Sequence, residues 1–228
     1  MGQKLGDAWE FLRDVPGRIG VFPRHATSEE DVTWFDVAPY CVSHTALAYD
    51  DGDEVVVVTN NIGSESFRPE FPSETPRDPD ANLHLYRLNP RTGAATEEVL
   101  WRGRSDFPTA NHGWRGPKRY AYAALLDYEE PNHAPILVGA YKFDLATRTC
   151  RKQLWGERFC FAGGEPLFVA RPGAVREDDG YVLCLINDLQ RRRTELRVYD
   201  ATTFGEPGVP GGDSPLATIV CPRGGIEL

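Results

Sequence analysis

The sequence predicts an all-β fold, specifically a partial β-propeller, and three observations predict it. The segments Leu85–Thr92, Ala140–Thr147 and Leu196–Thr203 share one pattern: an apolar-alternating run, then Asn or Asp, then Thr three residues later. Their Asn and Asp positions (Asn89, Asp144 and Asp200) are spaced 55 and 56 residues apart. An Asx side chain there bonds the backbone two residues on and closes a tight turn. Second, a Leu-Trp pair recurs just after the turn, at Leu100-Trp101 and Leu154-Trp155. Third, each unit divides into four short strand-like segments joined by polar connectors, which is the make-up of a propeller blade.

The elements follow in order. Arg18–Arg24 and Thr33–Val37 resemble the last two strands of a blade. The first full unit opens with Cys41–Tyr49 and turns at Asp51-Gly52-Asp53. It continues with Glu54–Thr59, whose four valines read as a strand buried on both faces. Leu83–Leu88, the Asn89 turn and Glu97–Trp101 complete it. The second unit comprises Asp106–Asn111, Arg119–Leu126, Ile136–Phe143, the Asp144 turn and Arg151–Trp155. The third comprises Gly164–Val169, Tyr181–Asn187, Glu195–Tyr199, the Asp200 turn and Leu216–Val220. Gly63–Asp80 and Gly205–Pro215, rich in Pro, Gly and charge, read as long surface loops. Lys4–Arg13 is the one segment with any helical period. The units add up to about three and a half blades, too few to close a ring, within a single domain spanning residues 1–228.

Composition narrows the function classes. The 25 Lys and Arg against 34 Asp and Glu leave a net charge of −9, which disfavours nucleic acid and anionic lipid as main partners. No charged-then-apolar leader opens the sequence, and no apolar run approaches the ~20 residues of a membrane span. The five cysteines (Cys41, Cys150, Cys160, Cys184 and Cys221) are odd in number and lack a CxxC pair, so they read as reduced thiols. No GxSxG, P-loop, GxGxxG or HExxH motif is present.

Register then exposes a site. The opening strand of each unit carries a lone ionisable residue: His44, Asp106 and Glu165, spaced 62 and 59 apart. The first strand of each blade lines a propeller's axis, so these three are expected to converge there. A histidine flanked by carboxylates suits a metal ligand whose other ring N–H is held by an acid. The competing expectation is three strand-end residues bonding backbone groups. His25, His84, His112 and His133 read as surface or loop histidines, and the run Arg191 to Arg193 as a solvated turn.

These residues carry a resemblance. Arg18–Arg24 resembles the RxGVxPR motif of the carotenoid cleavage oxygenases, and Trp34–Val37 with His44 and Ala48–Asp50 resembles WFEV…FHxxNAYE. Asp106–Asn111 with Lys118–Tyr122 resembles EFPxxN…G.K.RYAY; Gly164–Val169 with Glu177–Tyr181 resembles GEPxFVPRPG…EDDGY. The likeness spans residues 18–203 in order.

The resemblance implies a seven-bladed propeller holding one non-haem Fe(II) on its axis with four histidines, three of them oriented by acids. It assigns His44 as the third iron ligand. It assigns Asp106, in place of the pattern's Glu, as the acid bonding His44, and Glu165 as the acid orienting the fourth ligand. Because Asp is one methylene shorter, the His44 bond is expected to need a water or a strand shift. Leu47 stands where the pattern has Asn. The remaining ligands have no counterpart here, so the chain reads as an internal fragment, inactive in isolation.

The implied reaction is dioxygenase cleavage of a carotenoid or apocarotenoid double bond with O2 (15,15′ or 9,10 type), giving two carbonyl products. Phe107, Phe161 and Phe168 are candidate substrate-binding residues in an apolar tunnel, with core packing as their alternative role. A cytoplasmic or plastid location, peripheral membrane contact of the intact protein and edge-strand self-association of the fragment complete the expectations. The alternative is a non-catalytic propeller fragment acting as a binding or scaffold piece.

Overall fold

The computed structural model describes residue 12 and residues 14–62, 81–127, 136–156, 159–161 and 165–222. All of the Lys4–Arg13 segment but Leu12, the whole Gly63–Asp80 loop and His133 lie outside the described residues. The described chain is all-β apart from one 3-10 turn at Glu29–Asp31. β1 (Gly17–Val21) and β2 (Thr33–Val37) form a two-stranded antiparallel half-blade. β3 (Cys41–Asp51), β4 (Glu54–Ile62), β5 (Ala81–Leu88) and β6 (Ala95–Trp101) form the first full sheet, a simple meander. β7 (Ser105–Thr109), β8 (Tyr120–Asp127), β9 (Ile136–Asp144) and β10 (Thr149–Leu154) form the second. The third holds β11 (Phe159–Phe161), β12 (Leu167–Ala170), β13 (Gly180–Asp188), β14 (Arg193–Asp200) and β15 (Ala217–Val220).

The third sheet departs from expectation at its opening. β11 and β12 both pair with β13, Phe161 opposite Ile186 and Leu167 opposite Leu183. They are two halves of one interrupted first strand, which therefore begins earlier than Gly164. A three-residue half strand has no legible periodicity, and its Phe-Cys-Phe composition gives no turn signal.

The repeated turns have one cause. Asn89 Oδ1 accepts from the Arg91 and Thr92 amides at 3.0 and 3.1 Å. Asp144 Oδ1 accepts from Ala146 and Thr147 at 2.9 and 3.3 Å, and Asp200 Oδ1 from Thr202 at 2.8 Å. Each carboxylate or carboxamide satisfies amides that the hairpin leaves unpaired.

Three cores sit between consecutive sheets. Phe35, Tyr86 and Leu88 join the half-blade to the first sheet. Leu47, Val56, Val58, Leu83 and Leu85 pack against Ala121, Ala123, Tyr141 and Phe143 between the first and second. Tyr122, Ala140 and Trp155 pack against Val182, Cys184, Ile186, Tyr199 and Phe204 between the second and third. The recurrent tryptophans serve this stacking. Trp101 closes the first sheet against Tyr141 of the next (4.7 Å between centroids), and Trp155 closes the second against Tyr199 (5.8 Å).

Polar clamps span the same seams. Arg148 grips Glu98 with two bonds of 2.7 and 2.8 Å. The acidic pair before Gly180 is such a clamp: Glu177 accepts from the Arg119 and Tyr120 amides, and Asp178 accepts from Lys142 at 2.7 Å. None of the five cysteines is in a disulfide. No helix among the described residues is long and apolar enough to cross a membrane.

Candidate metal-ligand site on the innermost strands

β3 and β7, the first strands of adjacent sheets, pack directly against each other. A regular strand sends consecutive side chains to opposite faces. β3 breaks that rule at the residue that matters. Val42 pairs with Asn61 and His44 with Asn60, so Ser43 has no partner and forms a bulge. A second irregularity separates Thr45 from Leu47. β7 is irregular at the facing position: between Asp106 and Thr109 the register slips, and Phe107 adopts φ 53°. Bulges of this kind re-aim side chains.

Here they bring His44 and Asp106 into contact. His44 Nδ1 lies 2.7 Å from Asp106 Oδ1, and Ser43 Oγ donates to the same oxygen at 3.0 Å. Of the two expected routes the water is not needed: the contact is direct, between strands that both shift register at this point. With Nδ1–H donated to the carboxylate, the Nε2 lone pair faces away, and Nε2 has no hydrogen-bond partner among the described residues. The His44 side chain is 43% exposed and that of Asp106 18%. Behind them, Asn60 Nδ2 donates to the Ser105 carbonyl at 2.6 Å and to Ser105 Oγ at 2.9 Å, which ties β4 to β7 beside Asp106.

The other expected residues divide. Phe107 lies against the His44 ring at 5.1 Å between centroids. Phe168 is buried and stacks on Tyr122 at 5.8 Å within the core between the second and third sheets. The side chain of Phe161 lies outside the described residues. Glu165 is exposed, sits just before β12 rather than within a strand, and bonds no described residue. Leu47, at the motif's Asn position, is 3% exposed and fills the core between the first and second sheets. Among the described residues, no three His, Cys, Asp or Glu side chains cluster closely enough to hold a metal.

One histidine overturns its expectation. His84 is not a surface residue: it is fully buried. Its Nδ1 lies 2.8 Å from Glu97 Oε1, and Tyr40 packs edge-on at 4.6 Å. Burial pushes its pKa below the ordinary 6.5, outweighing the opposing pull of Glu97. Glu97 Oε2 also accepts from the Ala38 amide beyond β2, so one carboxylate links the half-blade to the first sheet. Its strand places His84 between Leu83 and Leu85, and that apolar setting was the available signal.

Comparison with known proteins agrees with this architecture. The family model described as retinal pigment epithelial membrane protein matches residues 1–210. A 9-cis-epoxycarotenoid dioxygenase of Oryza sativa subsp. japonica is 34% identical over 81% of this chain and 29% of its own length. A carotenoid 9,10(9′,10′)-cleavage dioxygenase of Crocus sativus is 30% identical over 94% of this chain and 40% of its own length. A zeaxanthin 7,8(7′,8′)-cleavage dioxygenase of Crocus sativus is 32% identical over 93% and 55%. The chain thus spans between under a third and about half of these relatives. The crystal structure of cobalt-substituted Synechocystis ACO superposes with a TM-score of 0.73 at 23% identity, over 93% of this chain and 42% of that one. Because the family match runs through almost all of the sheets described above, the chain belongs to the carotenoid cleavage oxygenase family.

Proposed function

We propose that this chain forms part of a dioxygenase that cleaves a carotenoid or apocarotenoid at a polyene double bond with O2, giving two carbonyl products. The observation that carries this reading is the His44–Asp106 pair on adjacent innermost strands. The donor chemistry fits one position of an Fe(II) centre: imidazole is a good iron ligand, and a carboxylate on Nδ1 keeps Nε2 unprotonated. His44 would hold the iron through Nε2, and bound Fe(II) would supply the activation of O2.

The remaining roles fall to this chain's own residues. Asp106 holds the His44 tautomer and ring orientation. Phe107 presents an apolar ring beside His44 and favours a hydrocarbon chain over water there. Phe168 belongs to the core between the second and third sheets, against which Phe107 packs. Glu165, free of described partners, is assigned to orient a further histidine.

Two relatives named above act, by their names, at different bonds, one of zeaxanthin and the other of a substrate given only as a carotenoid. The bond cleaved and the polyene chosen are therefore assigned only as a class. A plastid setting fits the relative described as chloroplastic and the one described as chromoplastic.

One imidazole binds iron weakly. The 228-residue chain alone is expected to purify without stoichiometric iron and to leave an added apocarotenoid intact; stoichiometric iron with turnover would overturn that. The reading itself is tested by anaerobic titration with Co(II), followed by its optical spectrum. Wild type should show weak binding with an imidazole signature, and His44→Ala should lose it. Equal binding by His44→Ala would remove His44 from the metal and favour the scaffold alternative.

A further inference from the structure

We infer that Ser43 is a positioning residue that holds the Asp106 carboxylate, and through it the His44 tautomer; this rests on the reading of His44 as a metal ligand. Consecutive residues of a strand cannot normally reach one acceptor on the neighbouring sheet. Here the bulge leaves Ser43 unpaired and turns its side chain to the same side as His44. Both then meet a single atom, Asp106 Oδ1, at 3.0 and 2.7 Å.

Ser43 Oγ also lies 3.2 Å from the Asn60 carbonyl. Its one proton is better placed on the carboxylate, which is nearer and charged. The carbonyl contact then marks the hydroxyl's seat beside β4. The side chain of Asn60 fixes the residue before Asp106 on β7, Ser105, and Ser105 Oγ in turn meets Tyr141 OH at 3.3 Å. Asp106 is therefore anchored through its backbone neighbour and through one hydroxyl on its own carboxylate. Without that hydroxyl, Oδ1 keeps only His44, and the carboxylate is free to rotate about its Cβ–Cγ bond. A rotated carboxylate no longer dictates which ring nitrogen carries the proton.

The experiment is 15N NMR of the metal-free 228-residue chain, reading the tautomer of neutral His44. Wild type should be mainly Nδ1–H. Ser43→Ala should raise the ratio of Nε2–H to Nδ1–H about fivefold, the fold-change of one hydrogen bond of ordinary strength. Ser43→Thr, which keeps the hydroxyl, should restore the wild-type ratio, and its isostere Ser43→Val should not. The Thr and Val pair separates a lost hydroxyl from a disturbed bulge. An unchanged ratio in both Ser43→Ala and Ser43→Val overturns the inference even where His44→Ala has abolished Co(II) binding. The converse pattern, a shifted ratio with Co(II) binding intact in His44→Ala, would remove the metal reading and leave the tautomer control standing.

Discussion

At His44, side-chain chemistry and backbone register act together. Asp106 is short, and both strands shift register where it meets His44. The bulge at Ser43 and the left-handed Phe107 close the distance to 2.7 Å. A non-glycine residue at φ 53° costs about 1 kcal/mol, offset here by Phe107's contacts with His44 and with the core between the second and third sheets. Replacing Asp106 with Asn preserves shape but removes the charge on the acceptor. Asp106→Asn is expected to weaken Co(II) binding about tenfold, with secondary structure unchanged by circular dichroism. Equal affinity in the variant would mean that the carboxylate does not act through His44. The repeat singled these two residues out, because each stands on the opening strand of its unit, and those strands pack on one another. Their direct contact was not: a bulge arises from one unpaired residue, and Ser43 carries no local signal of it.

The blade hairpins carry the same economy in each repeat. Asp144 shows it most fully. Its carboxylate closes the turn and also receives Arg119 at 2.9 and 2.6 Å. Burial alone would raise its pKa. The Arg119 guanidinium and the Ala146 and Thr147 amides win and hold it down at about 2. A carboxylate depressed from 3.8 contributes its stability above that pH, and the contribution is lost as pH falls toward about 2. Asp144→Ala should lower stability by about 1–2 kcal/mol at pH 7 in urea unfolding. Asp144→Asn should cost less, because its Oδ1 still accepts the two amides. Equal losses would show that the turn acceptor contributes nothing. These hairpins were readable because an Asx turn is a local interaction. The split first strand of the third sheet was not, since its halves are defined only by pairing with β13.

Across the whole molecule, stability lies in the seams between sheets. Each seam combines an apolar core with a polar clamp, and the one between half-blade and first sheet contains buried His84. Burial lowers its pKa, so below about 6.5 the unfolded chain takes up a proton that the folded chain resists. Stability at this seam is therefore present above that pH and lost as pH falls. Urea midpoints should decline between pH 7 and 5, and His84→Gln should flatten that decline. A slope unchanged in the variant would assign it to other groups. Lys142 clamps the next seam but one, reaching Asp178 and the Ala201 carbonyl, each at 2.7 Å. The acidic motif that marks the family likeness is thus part of the framework that holds the blades in register.

Read alone, the sequence determined the all-β class, the blade period and the Asx turns, and it pointed to His44 and Asp106 as candidates. These depend on local bonding and on side-chain periodicity, both written along the chain. Only the tertiary structure decided which of the three axis candidates meet, that Ser43 joins them, that Phe168 belongs to the core and that His84 is buried. Those outcomes rest on register slips and on contacts between residues far apart in sequence, where displacing a strand by one residue reverses which face a side chain occupies.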